Sequence, residues 1–298
     1  MKRLLFLIVL LAINYKTSAQ SLDDILEQET PKTTEYVSAT FKGTRILNGH
    51  SIENRKKGVL EFIISHRFGR VNLGVKEFFG LDDPNIRFAL EKGFTNKLMA
   101  GIGRSSYEKT YDAFIKYNFL KQKLNDNSSP VTASLFGSVA YKSIGNLDPD
   151  LSFNERLTYV TQVLVARKFS PYFSLQVMPG LAFRKNVDAP QDPTTIFSVG
   201  TGGRVKLTKR TALSFEYHYV ANPLKSIDTT NSLAFGYEIE SGGHVFQLIL
   251  SNSITMIEKS FITEGTGDFF SGDIHIGFNI SRAFHPKHKK KKTKKPNY

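Results

Sequence analysis

The sequence GDIHIGFNISRAF, residues 272–284 near the end of the chain, decides the fold. Apolar side chains occupy every second position in its centre, at Ile274, Ile276, Phe278 and Ile280. The positions between them are polar or small, at His275, Gly277, Asn279 and Ser281. A period of two places the two sets on opposite faces of a β-strand. Alternation over about ten residues that ends on an aromatic is typical of a strand that crosses a membrane with its apolar face toward lipid.

The same alternation recurs along the chain from residue 59 onward. The further segments are 59–68, 86–91, 98–105, 111–119, 131–141, 157–169, 172–184, 197–207, 213–219, 233–240 and 246–251. In 157–169 the pattern does not decide which face is apolar. Together they predict an all-β fold, an antiparallel up-and-down transmembrane β-barrel of about 12 strands (range 10–14).

The lengths of the connections orient the predicted strands. Tight turns at 168–171, 208–210 and 241–243 alternate with longer connections at 142–155, 185–194, 221–230 and 254–271. This alternation is typical of the periplasmic and outer rims of outer-membrane barrels. It makes 69–84 an outer loop and 94–97 an inner turn. Both ends of the barrel then lie on the periplasmic side, which an even strand number allows. The candidate strand 33–47 therefore either stays outside the count or replaces one of the other segments.

The charges lie on one face of the predicted strands, which favours a membrane barrel over a soluble sandwich. Alternate positions along a strand form two sets, which we call its two parities. Charged and polar side chains mix with Gly and Ser on one parity, whereas the other parity is almost free of charge. The predicted lumen-lining residues are Glu61, Arg67, Arg87, Glu91, Asp112, Lys116, Arg184, Arg204, Lys206, Glu216, His218 and Glu238. An open sheet edge is not tolerated in the hydrocarbon layer, so such a sheet must close.

The two ends of the chain predict export and the domain boundaries. Met1, Lys2 and Arg3 precede a short apolar run, and small residues at 17–19 supply a cleavage site, as in a secretory signal peptide. We expect a signal peptide at 1–19, an N-terminal periplasmic segment at 20–56 with a candidate extra strand, an outer-membrane barrel at 57–284 and a basic disordered periplasmic tail at 285–298. The chain has no cysteine, so stability must come from the hydrogen-bonded barrel rather than from disulfides.

The net charge of +13 is concentrated at the ends of the chain. Lys2 and Arg3 lie in the predicted signal peptide, and the tail from His285 to Tyr298 holds seven lysines and no acid. The remaining body is only mildly basic and has no basic, aromatic-bearing face, which excludes a nucleic-acid partner. The tail itself suits either contact with anionic lipid headgroups or simple solvation.

Five short stretches resemble a family of uncharacterised membrane-bound β-barrel proteins from Bacteroidota-type Gram-negative bacteria. They are SHRFG (65–69), FGLD (79–82), GIGRS (101–105), GGHVF (242–246) and GFNISR (277–282). The resemblance spans most of the mature chain. It implies a barrel in the outer membrane and no established activity, so it assigns no catalytic residue.

The charged positions allow two interpretations. Arg67 and Asp82 suit a gate or binding site at the outer mouth, or else a surface ion pair beside a Gly-permitted turn. Opposed rows of charge in the lumen suit a field that orders polar solutes, or else ion pairs that close the interior.

The sequence patterns that would indicate a catalytic or metal site are weaker. His218, His244 and His275 lack the local spacing of metal ligands. Ser65, Ser251, Ser281, His66 and His244 supply hydrolase residue types, but no motif orients a nucleophile. The sequence GTGG at 200–203 lacks the Lys-Ser/Thr partner of a phosphate loop, so we expect glycines there to give room or curvature. We predict no enzyme, no cofactor and no metal.

The leading functional hypothesis is porin-like passage or binding of small polar solutes. The alternatives are a closed structural or scaffolding barrel that presents loops to partners, and a barrel-embedded hydrolase. Expected partners are outer-membrane lipid, the barrel-assembly machinery through the last strand, and small polar solutes.

Overall fold

The computed structural model describes residues 34–124, 128–144, 151–187 and 189–286. The predicted signal peptide, the start of the N-terminal segment and the tail from residue 287 lie outside these ranges. The described residues form twelve strands: β1 Leu60–Arg70, β2 Asn85–Gly93, β3 Leu98–Ser105, β4 Tyr111–Leu120, β5 Thr132–Tyr141, β6 Leu157–Lys168, β7 Phe173–Arg184, β8 Thr195–Lys206, β9 Thr211–Val220, β10 Ser232–Ser241, β11 His244–Ser251 and β12 His275–Phe284.

The sheet closes on itself. Each strand pairs antiparallel with the next in sequence, and β1 also pairs with β12, from Leu60 opposite Phe284 to Arg70 opposite His275. The β1–β12 register shifts between Arg67 and Arg70. The described strands therefore leave no free sheet edge, and the predicted closed antiparallel barrel is confirmed.

The outer surface of the barrel is an apolar band. Large hydrophobic side chains on the outward parity are exposed along the strands, among them Phe88, Leu90, Ile102, Ile115, Leu135, Phe197, Phe235 and Leu248. A soluble protein rarely exposes contiguous apolar surface on this scale. The band suits a hydrocarbon surround, as the alternating pattern predicted.

The two rims differ in the length of their connections. The short-turn rim carries the connections 94–97, 169–172, 207–210 and 242–243, together with both ends of the barrel domain. The long-loop rim carries 71–84, 142–156, 185–194, 221–231 and 252–274. Two connections depart from the pattern, since 121–131 is long on the short-turn rim and 106–110 is short on the long-loop rim.

The helices of the described residues all lie in connections at the long-loop rim. Four are 3₁₀-helices, at Val71–Leu73, Val75–Gly80, Tyr107–Lys109 and Phe153–Arg156. The fifth, α1 Glu258–Thr263, lies in the loop 252–274, and all six of its residues are buried. None of the helices in the described part of the chain has the length and apolarity needed to cross a bilayer.

Residues 40–54, which we call the lumen segment, lie inside the barrel. Residues 40–52 are buried apart from the half-buried Lys42. The chain enters at the short-turn rim, where Lys168 Nζ donates to the Ser38 carbonyl at 2.9 Å. It leaves at the same rim, where Asn54 Nδ2 donates to the Lys97 carbonyl at 2.7 Å. The lumen segment is therefore a loop inserted from one end.

This placement corrects two expectations for the N-terminal region. The sequence predicted a periplasmic segment at 20–56, but residues 40–54 are enclosed by the strands. The candidate strand 33–47 is absent from the described residues 34–47, which form only isolated bridges such as Tyr36 with Lys123. Ala39 has φ of 53°, which interrupts an extended chain where it turns into the lumen.

An apolar cluster holds the lumen segment in the middle of the barrel. Phe41, Ile46, Leu47 and Ile52 are each no more than 1 % exposed. They share one buried cluster with inward-facing strand residues, namely Met99, Phe114, Phe136, Leu164, Ala166, Met178, Ala234 and Ile249. The barrel therefore has a packed core, in which a loop takes the place of a second layer.

Candidate functional site

The lumen is the candidate site, and Glu216 at the middle of β9 is its central contact. The carboxylate accepts hydrogen bonds from three successive backbone N–H groups of the lumen segment, at Leu47 (3.0 Å), Asn48 (3.2 Å) and Gly49 (2.9 Å). His218 Nε2 lies 3.0 Å from the same carboxylate. Consecutive N–H groups that converge on one carboxylate form a strong, charge-assisted contact.

Other strands bind the carbonyl groups of the lumen segment. Gln247 donates to the Ile46 carbonyl at 2.7 Å, Asn279 to that of Leu47 at 2.8 Å, and Gln176 to that of His50 at 2.8 Å. Lys116 Nζ donates to the carbonyls of Ser51 and Glu53, both at 2.7 Å. Side chains of the wall thus supply the hydrogen bonds that a strand neighbour would otherwise give this backbone.

Arg67 on β1 lies against the tip of the lumen segment. Its guanidinium donates to Asn48 Oδ1 at 2.8 Å and to Asn279 Oδ1 at 3.2 Å. It also donates to the carbonyls of His66 and Phe278. The side chain is fully buried, so it fixes the segment rather than facing an open channel.

Two glycines of the wall form sockets for apolar side chains of the lumen segment. A Cβ atom at Gly236 would overlap Leu47 Cδ2, and one at Gly202 would lie 2.7 Å from Ile46 Cδ1. Side chains at these positions would therefore collide with the segment. The expectation that lumen glycines give room has a specific basis, since the room is occupied by Ile46 and Leu47.

The helix α1 fills the lumen from the long-loop rim and meets the tip of the lumen segment. Glu258 Oε1 accepts from the His50 backbone N–H at 3.2 Å and lies 3.4 Å from Arg45 Nη1. Phe261 packs against the His218 ring, with a centroid distance of 4.7 Å. The two inserted elements therefore contact each other inside the barrel.

A salt-bridge cluster holds α1 to the outer loops. Lys259 Nζ lies 2.9 Å from Glu108 Oε2 and 2.6 Å from Glu264. Burial would lower the pKa of Lys259, but the carboxylates of Glu264 and Glu108 outweigh it and raise that pKa above its ordinary value. Burial would likewise raise the pKa of Glu108, yet Lys259 and Lys142 hold it below its usual range.

A small cavity lies between the lumen segment and the wall. The cavity, lined by residues that include Thr44, Arg45, Gln247 and Asn279, measures about 10 Å³. A cavity of this size holds about one water molecule at most. This cavity is too small to admit a solute.

The predicted lumen-lining residues all lie on the inward-facing parity. Those that bind the lumen segment or lie against it are Glu61, Arg67, Glu91, Lys116 and Glu216, with His218 beside Glu216. The others pair across the wall or lie near a rim. Arg87 pairs with Asp112 at 2.9 Å and Arg204 with Glu238 at 3.1 Å, while Arg184 and Lys206 end β7 and β8.

Several predicted groupings are not formed. Arg67 is buried against Asn48, whereas Asp82 is exposed in the loop 71–84, so they make no gate pair. His244 begins β11 at the short-turn rim and His275 begins β12 at the opposite rim, which separates them. No group of three or more His, Asp or Glu side chains in the described residues is placed to hold a metal.

The hydrolase candidates are likewise dispersed. Ser251 Oγ accepts a hydrogen bond from Asn48 Nδ2 at 3.2 Å. His66 stacks on Phe278 on the outer surface, with a centroid distance of 5.1 Å. Within the described residues no serine among Ser65, Ser251 and Ser281 is hydrogen-bonded to His66 or His244. The absence of an enzyme remains a prediction.

Sequence reasoning missed the amides that bind the lumen segment and the segment itself. Gln176, Gln247 and Asn279 lie on the inward face, but alternation alone does not indicate what they contact. A usable signal was present on the same parity, because Met99 and Phe136 are apolar residues that face the lumen. Apolar side chains inside a barrel need something to pack against, which indicates an inserted element.

The comparisons with known proteins agree with this architecture. Residues 41–284 match the family model described as "Membrane bound beta barrel domain (DUF5777)". The chain belongs to this family. The matched range begins at the second residue of the lumen segment, so it includes nearly all of that segment as well as the twelve strands. The predicted bacterial group stays a prediction.

Solved structures with low identity give the remaining comparisons. The NanC porin is 8% identical, with 75% of this chain and 98% of that chain covered and a TM-score of 0.46. An outer membrane channel from Pseudomonas putida F1 is 10% identical, with 78% and 98% covered and a TM-score of 0.44. The KdgM porin is 8% identical, with 76% and 99% covered and a TM-score of 0.43. No curated protein matches the sequence significantly. Likenesses at this level carry no functional inference.

Family membership and the apolar band together place the barrel in a membrane. Closed antiparallel barrels with short turns on one rim and longer loops on the other are the outer-membrane type. The protein is therefore an outer-membrane β-barrel whose lumen is filled from both rims in the described conformation.

Proposed function

We propose that the protein is a gated channel for small polar solutes, closed at rest, with the lumen segment as its gate. The single observation that carries this proposal is how residues 40–54 are held. The chain enters the lumen just after Ser38 and leaves it at Asn54, both at the short-turn rim. A loop that enters and leaves at one rim can be withdrawn without threading the chain through the barrel.

The chemistry of the contacts supports reversible withdrawal. Most contacts to the segment backbone come from polar side chains, such as Glu216, Gln247 and Lys116, that water can solvate once the segment leaves. Each hydrogen bond exchanged with water contributes only about 0.5–1.5 kcal/mol net. The wall that would then be exposed carries charges of both signs, which suits small polar solutes of either charge.

Some buried groups of the closed state lack hydrogen-bond partners within the described residues. These are both ring nitrogens of His50 and the carboxylate of Glu91, which lies 3.9 Å from Arg45 Nε without a hydrogen bond. An unsatisfied buried polar group costs about 1–3 kcal/mol. Water could reach these groups in an open state, which supports a gate.

The closed structural barrel is the second candidate, and one observation favours it. The helix α1 closes the lumen from the opposite rim, with Phe261 and Ile262 in an apolar cluster with Val160 and Ala182. Withdrawal of the lumen segment would leave this second closure in place unless α1 also moves.

Planar-bilayer conductance distinguishes the two candidates. We expect the full chain to show no steady unitary current, and a chain that lacks both residues 40–54 and the helix α1 to show steady unitary currents. Deletion of residues 21–34, a similar length of preceding chain, is the matched control and should stay silent. Heat-dependent gel migration verifies that each variant is folded. Steady currents from the full chain would contradict the closed resting state, and silence from both folded deletions would favour the structural barrel.

A further inference from the structure

The outer surface carries an apolar groove on β2 to β6, close to the long-loop rim. It measures about 780 Å³, and its lining includes Phe88, Ile102, Tyr111, Tyr141, Phe153 and Tyr159. The groove arises because small side chains face outward between large ones. In the cross-strand row Leu90, Ile102, Ala113, Val139 and Tyr159, the two positions after Ile102 are short.

Arg104 borders this groove close to the long-loop rim. It belongs to the outward-facing parity of β3, and its guanidinium stacks over the Tyr111 ring at 5.5 Å from the centroid. The side chain is exposed, and it forms no ion pair with another described residue. A cation that faces the membrane surface without a protein carboxylate is suited to an anionic headgroup.

The position of Arg104 differs from that of similar cations. Within the described residues, Lys92 over Phe94, Arg167 over Phe169 and Arg282 over Phe284 also stack on aromatic rings. These three lie at the short-turn ends of their strands, whereas Arg104 lies near the long-loop rim. Only Arg104 among the four borders the groove.

We propose that this groove is a binding site for one phosphorylated, anionic lipid of the outer leaflet. The acyl chains lie in the depression over Ala113 and Val139, and the phosphate lies against Arg104. The inference rests on the membrane location and on the long-loop rim facing outward, and it is independent of the gating proposal. Small residues supply depth for the chains, and the aromatic rings at the border supply flat apolar contact.

Tryptophan fluorescence tests the proposal, because the chain contains no native tryptophan. Tyr159→Trp places a reporter in the groove, and Tyr219→Trp places a reference on the outward face of β9, close to the same rim. Each protein is folded into phosphatidylcholine vesicles that contain brominated-chain phosphatidic acid or brominated-chain phosphatidylcholine. We expect phosphatidic acid to associate at position 159 about fivefold more strongly, the size that one basic residue near a membrane contributes. At position 219 the two lipids should quench equally.

Variants separate the roles of charge and shape. Arg104→Gln should abolish the preference for phosphatidic acid at position 159, whereas Arg282→Gln, which removes an outward cation at the other rim, should preserve it. Ala113→Phe fills the depression and should abolish the preference with Arg104 still present. Equal quenching by both lipids at position 159, or a preference that survives Arg104→Gln, would overturn the proposal.

Discussion

Replacing Glu216 by alanine is expected to release the lumen segment. The three N–H groups of Leu47, Asn48 and Gly49 would lose their shared acceptor in a buried site. Removing one partner of a buried charged network typically costs about 3–5 kcal/mol. We expect the closed state to lose most of its stability relative to a state with the segment withdrawn, while the backbone pairing of the strands persists.

A single thiol inside the lumen measures this release. Ser51 is fully buried, and the protein has no cysteine of its own, so Ser51→Cys supplies the only reactive thiol. A membrane-impermeant maleimide should label the thiol at position 51 about 100-fold faster when Glu216→Ala is also present, as follows from about 3 kcal/mol of lost stabilisation.

A second carboxylate provides the control for Glu216. Glu238 is also buried on the wall but pairs with Arg204 and Ser214 rather than with the lumen segment. Glu238→Gln should leave the labelling of the thiol at position 51 unchanged. Equal acceleration by both changes would mean that loss of any wall carboxylate loosens the barrel, and the specific role of Glu216 would be rejected.

Replacing Gly236 by leucine is expected to displace the lumen segment by overlap. Any Cβ atom at this position would lie far inside van der Waals contact with Leu47 Cδ2. Insertion of side-chain atoms into a packed core costs about 1–3 kcal/mol. We therefore expect Gly236→Leu to accelerate maleimide labelling of the Ser51→Cys thiol about tenfold or more, by the usual relation between free energy and population.

The overlap can be relieved from the other side. Leu47→Ala removes the atoms that Gly236→Leu would meet, so the double variant should label more slowly than Gly236→Leu alone. Gly137→Leu is the matched control, because a Cβ atom there has only Ile115 Cγ2 nearby, at 4.0 Å. Failure of Leu47→Ala to slow the labelling would show that Leu47 does not occupy the Gly236 socket.

The sequence predicted the number of strands, the face on which each strand residue lies and the two rims. Most of this rests on alternation, which is a local property of the sequence. Each residue from Ile274 to Ile280 shows its face through its own polarity. Alternation did not show which face of 157–169 points inward, because inward residues of β6, such as Val160 and Leu164, are apolar. They pack against elements inside the barrel, so the two faces of that strand resemble each other.

The position of the lumen segment inside the barrel could not be predicted, for a different reason. Its backbone is paired by side chains from distant strands, such as Glu216 and Asn279, which are 169 and 232 residues away from Leu47 in sequence. Such contacts leave no periodicity in residues 40–54. Sequence polarity identified the wall residues, but only the closed barrel shows that several of them bind the protein's own chain.

Maleimide labelling of the Ser51→Cys variant in folded protein tests most directly whether residues 40–54 fill the lumen. Ser38→Cys, at an exposed position just before the segment, supplies the reference rate. We predict that the thiol at position 51 resists labelling in the folded barrel and reacts once the barrel is heat-unfolded, while the thiol at position 38 reacts in both states. Equally fast labelling at the two positions in folded protein would contradict the placement of the segment inside the barrel.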